Sequence, residues 1–146
     1  MAGYGTILVS TDLSDPATSA VRHAAALADA TGGTLIVTYV VEDRLPPLIL
    51  AHAPDVDELL KRHRETAESA LDKYLAEHLP GRQIETVIRQ GAVHEQIVEL
   101  ARERQADVIV VGMHGHGFLV HALEGSTAER VLHSSFCPVL VVPHNS

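Results

Sequence analysis

Along the chain, apolar β-branched runs alternate with stretches in which apolar positions recur every three or four residues. Thr6-Ile7-Leu8-Val9 reads as a short buried strand. Asp15-Pro16 reads as a cap followed by proline at the first helical position, and the helix it opens carries Val21, Ala24, Ala25 and Ala28 on one face. Gly32-Gly33 ends that helix, and 34–41 is a second, continuously apolar strand. The stretch 42–55 is broken by Pro46, Pro47 and Pro54. From Asp55 a long helix is predicted, because Val56, Leu59, Leu60, His63, Ala67, Ala70, Leu71, Tyr74 and Leu75 recur at helical steps until Pro80-Gly81. A third strand over 84–89 places Ile84, Thr86 and Ile88 on one face and Val87 on the other. Val93, Ile97, Leu100 and Ala101 mark a third helix, 107–111 a fourth strand, 126–133 a fourth helix and 138–142 a fifth strand.

Strands alternating with helices imply right-handed crossovers and a mostly parallel sheet, and continuously apolar strands fit a sheet covered on both faces. The expected architecture is a three-layer α/β sandwich around a parallel five-stranded sheet, with residues 1–146 as one domain. In open sheets of this kind ligands sit beyond the carboxyl ends of the strands, at a topological switch point. Two strand ends draw attention: Ser10-Thr11-Asp12 after the first strand, and Gly112 onward after the fourth.

Composition narrows the function classes. Aromatic residues make up 3% of the chain, so the core must be built from Val, Ile, Leu and Ala. The formal net charge of -8 argues against nucleic acid as a partner, because phosphate neutralisation needs clustered Lys and Arg. Protonating all ten histidines would move that charge from -8 to +2, so mild acid changes this surface strongly. Cys137 is the sole cysteine and precedes a proline at a buried strand, where a thiol is an inert small apolar group. No apolar run reaches the ~18 residues of a membrane span, and 1–10 carries no signal-peptide pattern. A cytoplasmic location is expected.

The segment with chemistry follows the fourth strand. Gly112-Met113-His114-Gly115-His116-Gly117 holds three glycines in six residues, so its backbone can approach a ligand closely. Gly125-Ser126-Thr127 then opens a helix, offering amide N–H groups and two hydroxyls at a positive helix terminus. Together they predict phosphate binding, with plain turns as the competing explanation. No G-x-x-x-x-G-K-[ST] sequence is present, no G-x-G-x-x-G follows the first strand, and no lysine lies in the loop.

The spacing Gly112-x2-Gly115-x9-Gly125-Ser126 resembles the G-x2-G-x9-G-[ST] nucleotide motif of the universal stress protein family, in its ATP-binding branch. Ile7-Leu8-Val9-Ser10-Thr11-Asp12 is similar to that family's opening strand and Asp, 37–41 to its second strand, and Cys137-Pro138-Val139-Leu140-Val141-Val142 to its closing strand. The resemblance implies an adenine nucleotide alpha hydrolase-like sheet of order 3-2-1-4-5, with ATP and Mg²⁺ across the ends of strands one and four. It implies that Asp12, flanked by Ser10 and Thr11, and the backbone around Val40 meet adenosine. Gly112, Gly115, Gly125 and Ser126 would meet ribose and phosphates; beside the resemblance, Thr127 offers its hydroxyl at the helix start, and His114 and His116 either donate to phosphate or only cover the loop. The resemblance further implies a homodimer through Val139, Leu140, Val141 and Val142; a tetramer and an unknown regulatory protein partner stay open. Glu124 stands where the family carries an apolar residue, and His114 and His116 where small or basic residues are usual.

Three other readings compete with an ATP-binding regulator of stress response. A metal site could form from His114, His116, His121 and His133. A nucleotide-free adaptor could dock a partner through Leu45, Leu48, Ile49 and Leu50. A hydrolase or nucleotidyltransferase would need an H-x-G-H or S-G-G-x-D-S signature after the first strand, where the chain reads Ser10-Thr11-Asp12-Leu13-Ser14-Asp15. No base and oriented nucleophile can be assembled, so no enzyme activity is expected beyond slow ATP hydrolysis assisted by Mg²⁺.

Overall fold

The computed structural model of the chain describes residues 3–42, 55–113 and 126–144. Among the described residues five strands and four helices alternate. They are β1 (Thr6–Thr11), α1 (Asp15–Thr31), β2 (Thr34–Val41), α2 (Val56–His78), β3 (Glu85–Gln90), α3 (Val93–Glu103), β4 (Val108–Gly112), α4 (Thr127–Ser134) and β5 (Val139–Val142). All strand pairs are parallel and the sheet order is β3-β2-β1-β4-β5. The chain winds outward from β1 to β3, then crosses back to β4, so the switch point lies between β1 and β4.

Alternation along the strands sorts the core into two layers. Ile7, Val9, Val37 and Val110 pack with Val21, Ala24 and Ala25 of α1 and Leu71 and Tyr74 of α2. Leu8, Ile36, Val40 and Ile109 pack with Ile97 and Leu100 of α3 and Ala128 and Val131 of α4. This is the three-layer arrangement that the strand–helix alternation predicts. The small residues of α1 let that helix lie close over β1 and β4. The edge strands are less covered: only Ile88 of β3 and Val142 of β5 are buried.

Local chemistry fixes the boundaries. Gly32 caps α1 with a left-handed φ of 69°, its N–H bonded to the Ala28 carbonyl. A Cβ at Gly33 would lie 2.5 Å from the Tyr4 carbonyl oxygen, so only glycine lets the chain re-enter the sheet there. Asp55 caps α2, its Oδ1 accepting the Glu58 N–H at 3.1 Å. One sequence expectation is corrected: Ser14, not Asp15, is the N-cap of α1, and Asp15 and Pro16 are already helical. The physical reason is the turn before it, in which the Asp12 carboxylate draws Ser14 into the extended cap conformation.

Asp107 belongs to the scaffold. Its Oδ2 accepts the Gly5 and Thr6 N–H groups at 2.9 and 2.8 Å, locking β1 beside β4 at the sheet edge opposite the switch-point opening. On α1, Thr18 Oγ1 and Tyr74 Oη share a buried hydrogen bond of 2.7 Å, which ties α2 to the first turns of α1. Among the described residues no helix is long and apolar enough to cross a membrane.

Candidate functional site

A cleft of about 400 Å³ opens at the carboxyl ends of β1, β2 and β4. Its floor is Ser10, Thr11 and Asp12 from β1 and its turn, with Val111 and Gly112 from β4. Tyr39, Val40, Val41 and Glu42 line it from the end of β2. Helices close the sides: Pro16 and Ala17 from α1, His63 from α2, Val93 from α3 and Thr127 from α4.

The architecture explains this gathering. In a parallel α/β sheet each helix runs antiparallel to the strands, so α1, α3 and α4 all begin at the strands' carboxyl edge. Three helix N-termini therefore face one cleft, each with the partial positive charge of a helix start. The described lining holds no Lys or Arg, so backbone dipoles are what it offers an anion. Asp12 and Glu42 sit at the ends of β1 and β2. Carboxylates in that place suit hydroxyl donors such as those of a ribose.

The β1 turn is held stiffly. Thr11 Oγ1 accepts the Leu13 N–H at 3.0 Å. Asp12 Oδ1 accepts the Ser14 N–H at 2.9 Å and the Ser14 hydroxyl. Between them Leu13 takes φ 66°, a conformation costly for a bulky residue and maintained only where its surroundings over-determine it. The turn thus presents the Asp12 carboxylate in a set orientation.

At the opposite wall Ser126 caps α4, its Oγ accepting the Glu129 N–H at 3.1 Å. The Ser-x-x-Glu spacing is a capping-box signature and accounts for part of what the sequence suggested was phosphate chemistry. A hydroxyl can accept and donate at once, so capping and ligand contact are compatible. Gly112 has no forced conformation: a Cβ there would meet Ala20 Cβ at 3.7 Å and Ala17 Cα at 3.9 Å, ordinary contacts. The Met113 N–H then bonds the Val142 carbonyl at 2.8 Å, holding the end of β4 to β5.

Of the residues expected at the site, Ser10, Thr11, Asp12, Val40, Gly112 and Thr127 line one cleft. Ser126 adjoins it as the cap preceding Thr127. His114, Gly115, His116, Glu124 and Gly125 lie outside the described residues, as do His121 and the 43–54 stretch with Leu45, Leu48, Ile49 and Leu50. His133 of α4 is exposed and pairs with Glu129 at 3.8 Å. Among the described residues no three His, Cys, Asp or Glu side chains gather to hold a metal. Cys137 lies half-buried against the α3–α4 layer, its Sγ 3.5 Å from Ser135 Oγ. Sequence reasoning missed Tyr39, Glu42 and His63. The signal for the first two was the neighbouring Val40; for His63 it was a polar residue in the apolar stripe of α2.

A model of the universal stress protein family matches residues 3–143. The chain belongs to that family. Universal stress protein MJ0531 of Methanocaldococcus jannaschii is 35% identical over 143 residues, covering 95% of this chain and 82% of that protein. The solved structure of MJ0577, also from Methanocaldococcus jannaschii, superposes with a TM-score of 0.77 at 31% identity, covering 96% of each chain. A universal stress protein solved in complex with cAMP superposes with a TM-score of 0.64 at 29% identity, covering 97% of this chain and 98% of that one. Membership of the family accounts for the sheet order.

Proposed function

We propose that this universal stress protein binds ATP at the switch-point cleft and uses it as a regulatory ligand in stress response, without turning it over as an enzyme. The observation that carries the reading is the convergence of three helix N-termini and the stiff Asp12 turn on one cleft. A similar universal stress protein holds cAMP, an adenine nucleotide, which supports the adenine assignment. In this reading Asp12, Ser10, Thr11 and the backbone at Val40 meet the nucleoside, and Gly112, Ser126 and Thr127 meet the phosphates. His114, Gly115, His116 and Gly125 complete the phosphate side.

Mg²⁺ fits the cleft by donor chemistry. Carboxylate oxygens suit a hard cation, and Mg²⁺ beside a nucleotide takes one or two carboxylates, the rest of its shell being phosphate and water. Asp12 and Glu42 are the carboxylates of the described lining and lie at the nucleoside end, so an ion on the phosphates would be held mainly by phosphate and water oxygens. The ion would offset phosphate charge in a cleft that has no Lys or Arg among its described lining.

We also infer a homodimer through β5. Leu140 on this edge strand is 41% exposed, and Leu132 of α4 and Phe136 before β5 are 44% and 49% exposed. An apolar edge strand is normally covered, and a second copy is the covering available to a strand of Val and Leu. A cytoplasmic location is part of the same proposal.

The test is calorimetric titration of ATP with Mg²⁺ into the purified chain. Saturable binding of one ATP per chain, with no phosphate release over the titration, is expected. Stoichiometric release of phosphate on the same timescale would replace the regulator reading by an enzymatic one.

A further inference from the structure

The apolar stripe of α2 contains one polar residue, and it stands where the helix runs past the end of the sheet. Positions 63 and 74 are eleven residues apart, which at ~100° per residue leaves them within about 20° of each other on the helix face. Tyr74 is buried and hydrogen-bonded to Thr18 of α1, and Ala67 and Leu71 are buried on the same side. His63 therefore faces inward, yet it is exposed, because about 16 Å further up the helix the sheet has ended and the cleft begins. Its neighbours in the cleft are the β2 end residues Tyr39 and Val41, whose side chains lie on the same face of the sheet.

The helix is fixed at this height. The Thr18–Tyr74 hydrogen bond holds α2 to α1, whose first turn also lines the cleft. The Gln90 amide at the end of β3 donates to the Leu60 carbonyl at 3.4 Å, one turn before His63. Asp55 closes the start of the helix. A rigidly carried ring that faces inward over an open cleft is placed to touch what fills it.

We propose that His63 is a specificity-determining residue of the cleft, contacting the nucleoside end of the bound nucleotide. This rests on the nucleotide reading above. The side is set by the fold: α2 lies against β2 and β3, so His63 rises beside the end of β2, whereas Gly112 of β4 and the start of α4 form the far wall where phosphates would sit. An imidazole there can lie against a heteroaromatic base and hydrogen-bond its edge or the ribose. Through it the α2 layer adds a side-chain contact to those the strand ends make with the nucleoside.

The experiment compares adenosine, ATP with Mg²⁺ and inorganic tripolyphosphate, titrated by calorimetry into wild type, His63→Ala and His63→Phe. Alanine is the best helix former and position 63 is exposed, so far-UV circular dichroism and the thermal midpoint should not fall. His63→Ala is expected to weaken adenosine and ATP by the same factor, about tenfold, and to leave tripolyphosphate unchanged. His63→Phe, which keeps a ring, should recover part of that loss. Adenosine affinity within twofold of wild type in His63→Ala would overturn the inference while leaving the nucleotide site intact. An equal loss for tripolyphosphate would also overturn it, by making His63 a phosphate contact. Failure of the wild type to bind ATP would instead bring down the reading of the cleft, and this inference with it.

Discussion

Two glycines show how differently the same residue can be constrained. At Gly33 a Cβ would strike the Tyr4 and Gly5 carbonyl oxygens at 2.5 and 3.0 Å. Gly33→Ala should therefore cost about 1–3 kcal/mol, read as a lowered denaturation midpoint. At Gly112 the same Cβ makes only ordinary contacts, so Gly112→Ala should keep the wild-type midpoint. Because Gly112 lines the cleft floor, the added methyl should nonetheless weaken ATP binding in calorimetry. Away from the cleft, the Arg82 guanidinium donates to both oxygens of Asp29 at 2.5 and 2.7 Å and lowers the Asp29 pKa from its ordinary value. The sign follows from linkage: a lowered folded pKa stabilises above the unfolded carboxylate value, and the contribution is lost as pH falls through the folded value. Both groups are exposed to solvent, so the effect on stability is small. The direct measurement is the Asp29 carboxyl titration by NMR, which should move upward in Arg82→Ala.

At the scale of elements, Ser126 caps α4, and the proposed function gives it a second duty at the phosphates that one substitution can separate from the first. Ser126→Ala removes the bond to the Glu129 N–H and should cost about 1 kcal/mol of stability along with ATP affinity. Ser126→Asp keeps a good cap and suits the positive helix end, so stability should hold. Its negative charge at the phosphate wall should still abolish ATP binding. Equal ATP affinity in wild type and Ser126→Asp would show that the residue is a cap alone. Most elements were legible in the sequence because strands and helices leave different apolar periods. Val21, Ala24, Ala25 and Ala28 of α1 are buried together as their spacing indicates. The start of α1 was not legible, because Asp15-Pro16 satisfies the rules for a cap as well as those for a first turn. What decides it is the Asp12–Ser14 turn, a local hydrogen-bond choice that periodicity does not register. His63 was visible as a member of the α2 stripe, but its role depends on how far the helix overshoots β2, which is a tertiary quantity.

For the whole molecule, the parallel winding places the site. Strand order sends the connections that leave β1 and β4 to opposite faces of the sheet, and antiparallel helices bring their N-termini to the opening between them. Six of the expected site residues meet there although they lie up to 117 positions apart, from Ser10 to Thr127. The edge strand β5 is the other consequence of an open sheet. Leu140→Asp should turn a dimer into a monomer in sedimentation or light scattering, with ATP affinity changed less than twofold, because β5 does not line the cleft. An unchanged dimer mass in that variant would place the interface elsewhere. The central claim is that the cleft holds an adenine nucleotide, and native mass spectrometry of the purified chain with ATP and Mg²⁺ tests it most directly. The account predicts a species heavier by one ATP per chain in wild type that is lost in Ser126→Asp; a wild-type mass unchanged at millimolar ATP would contradict it.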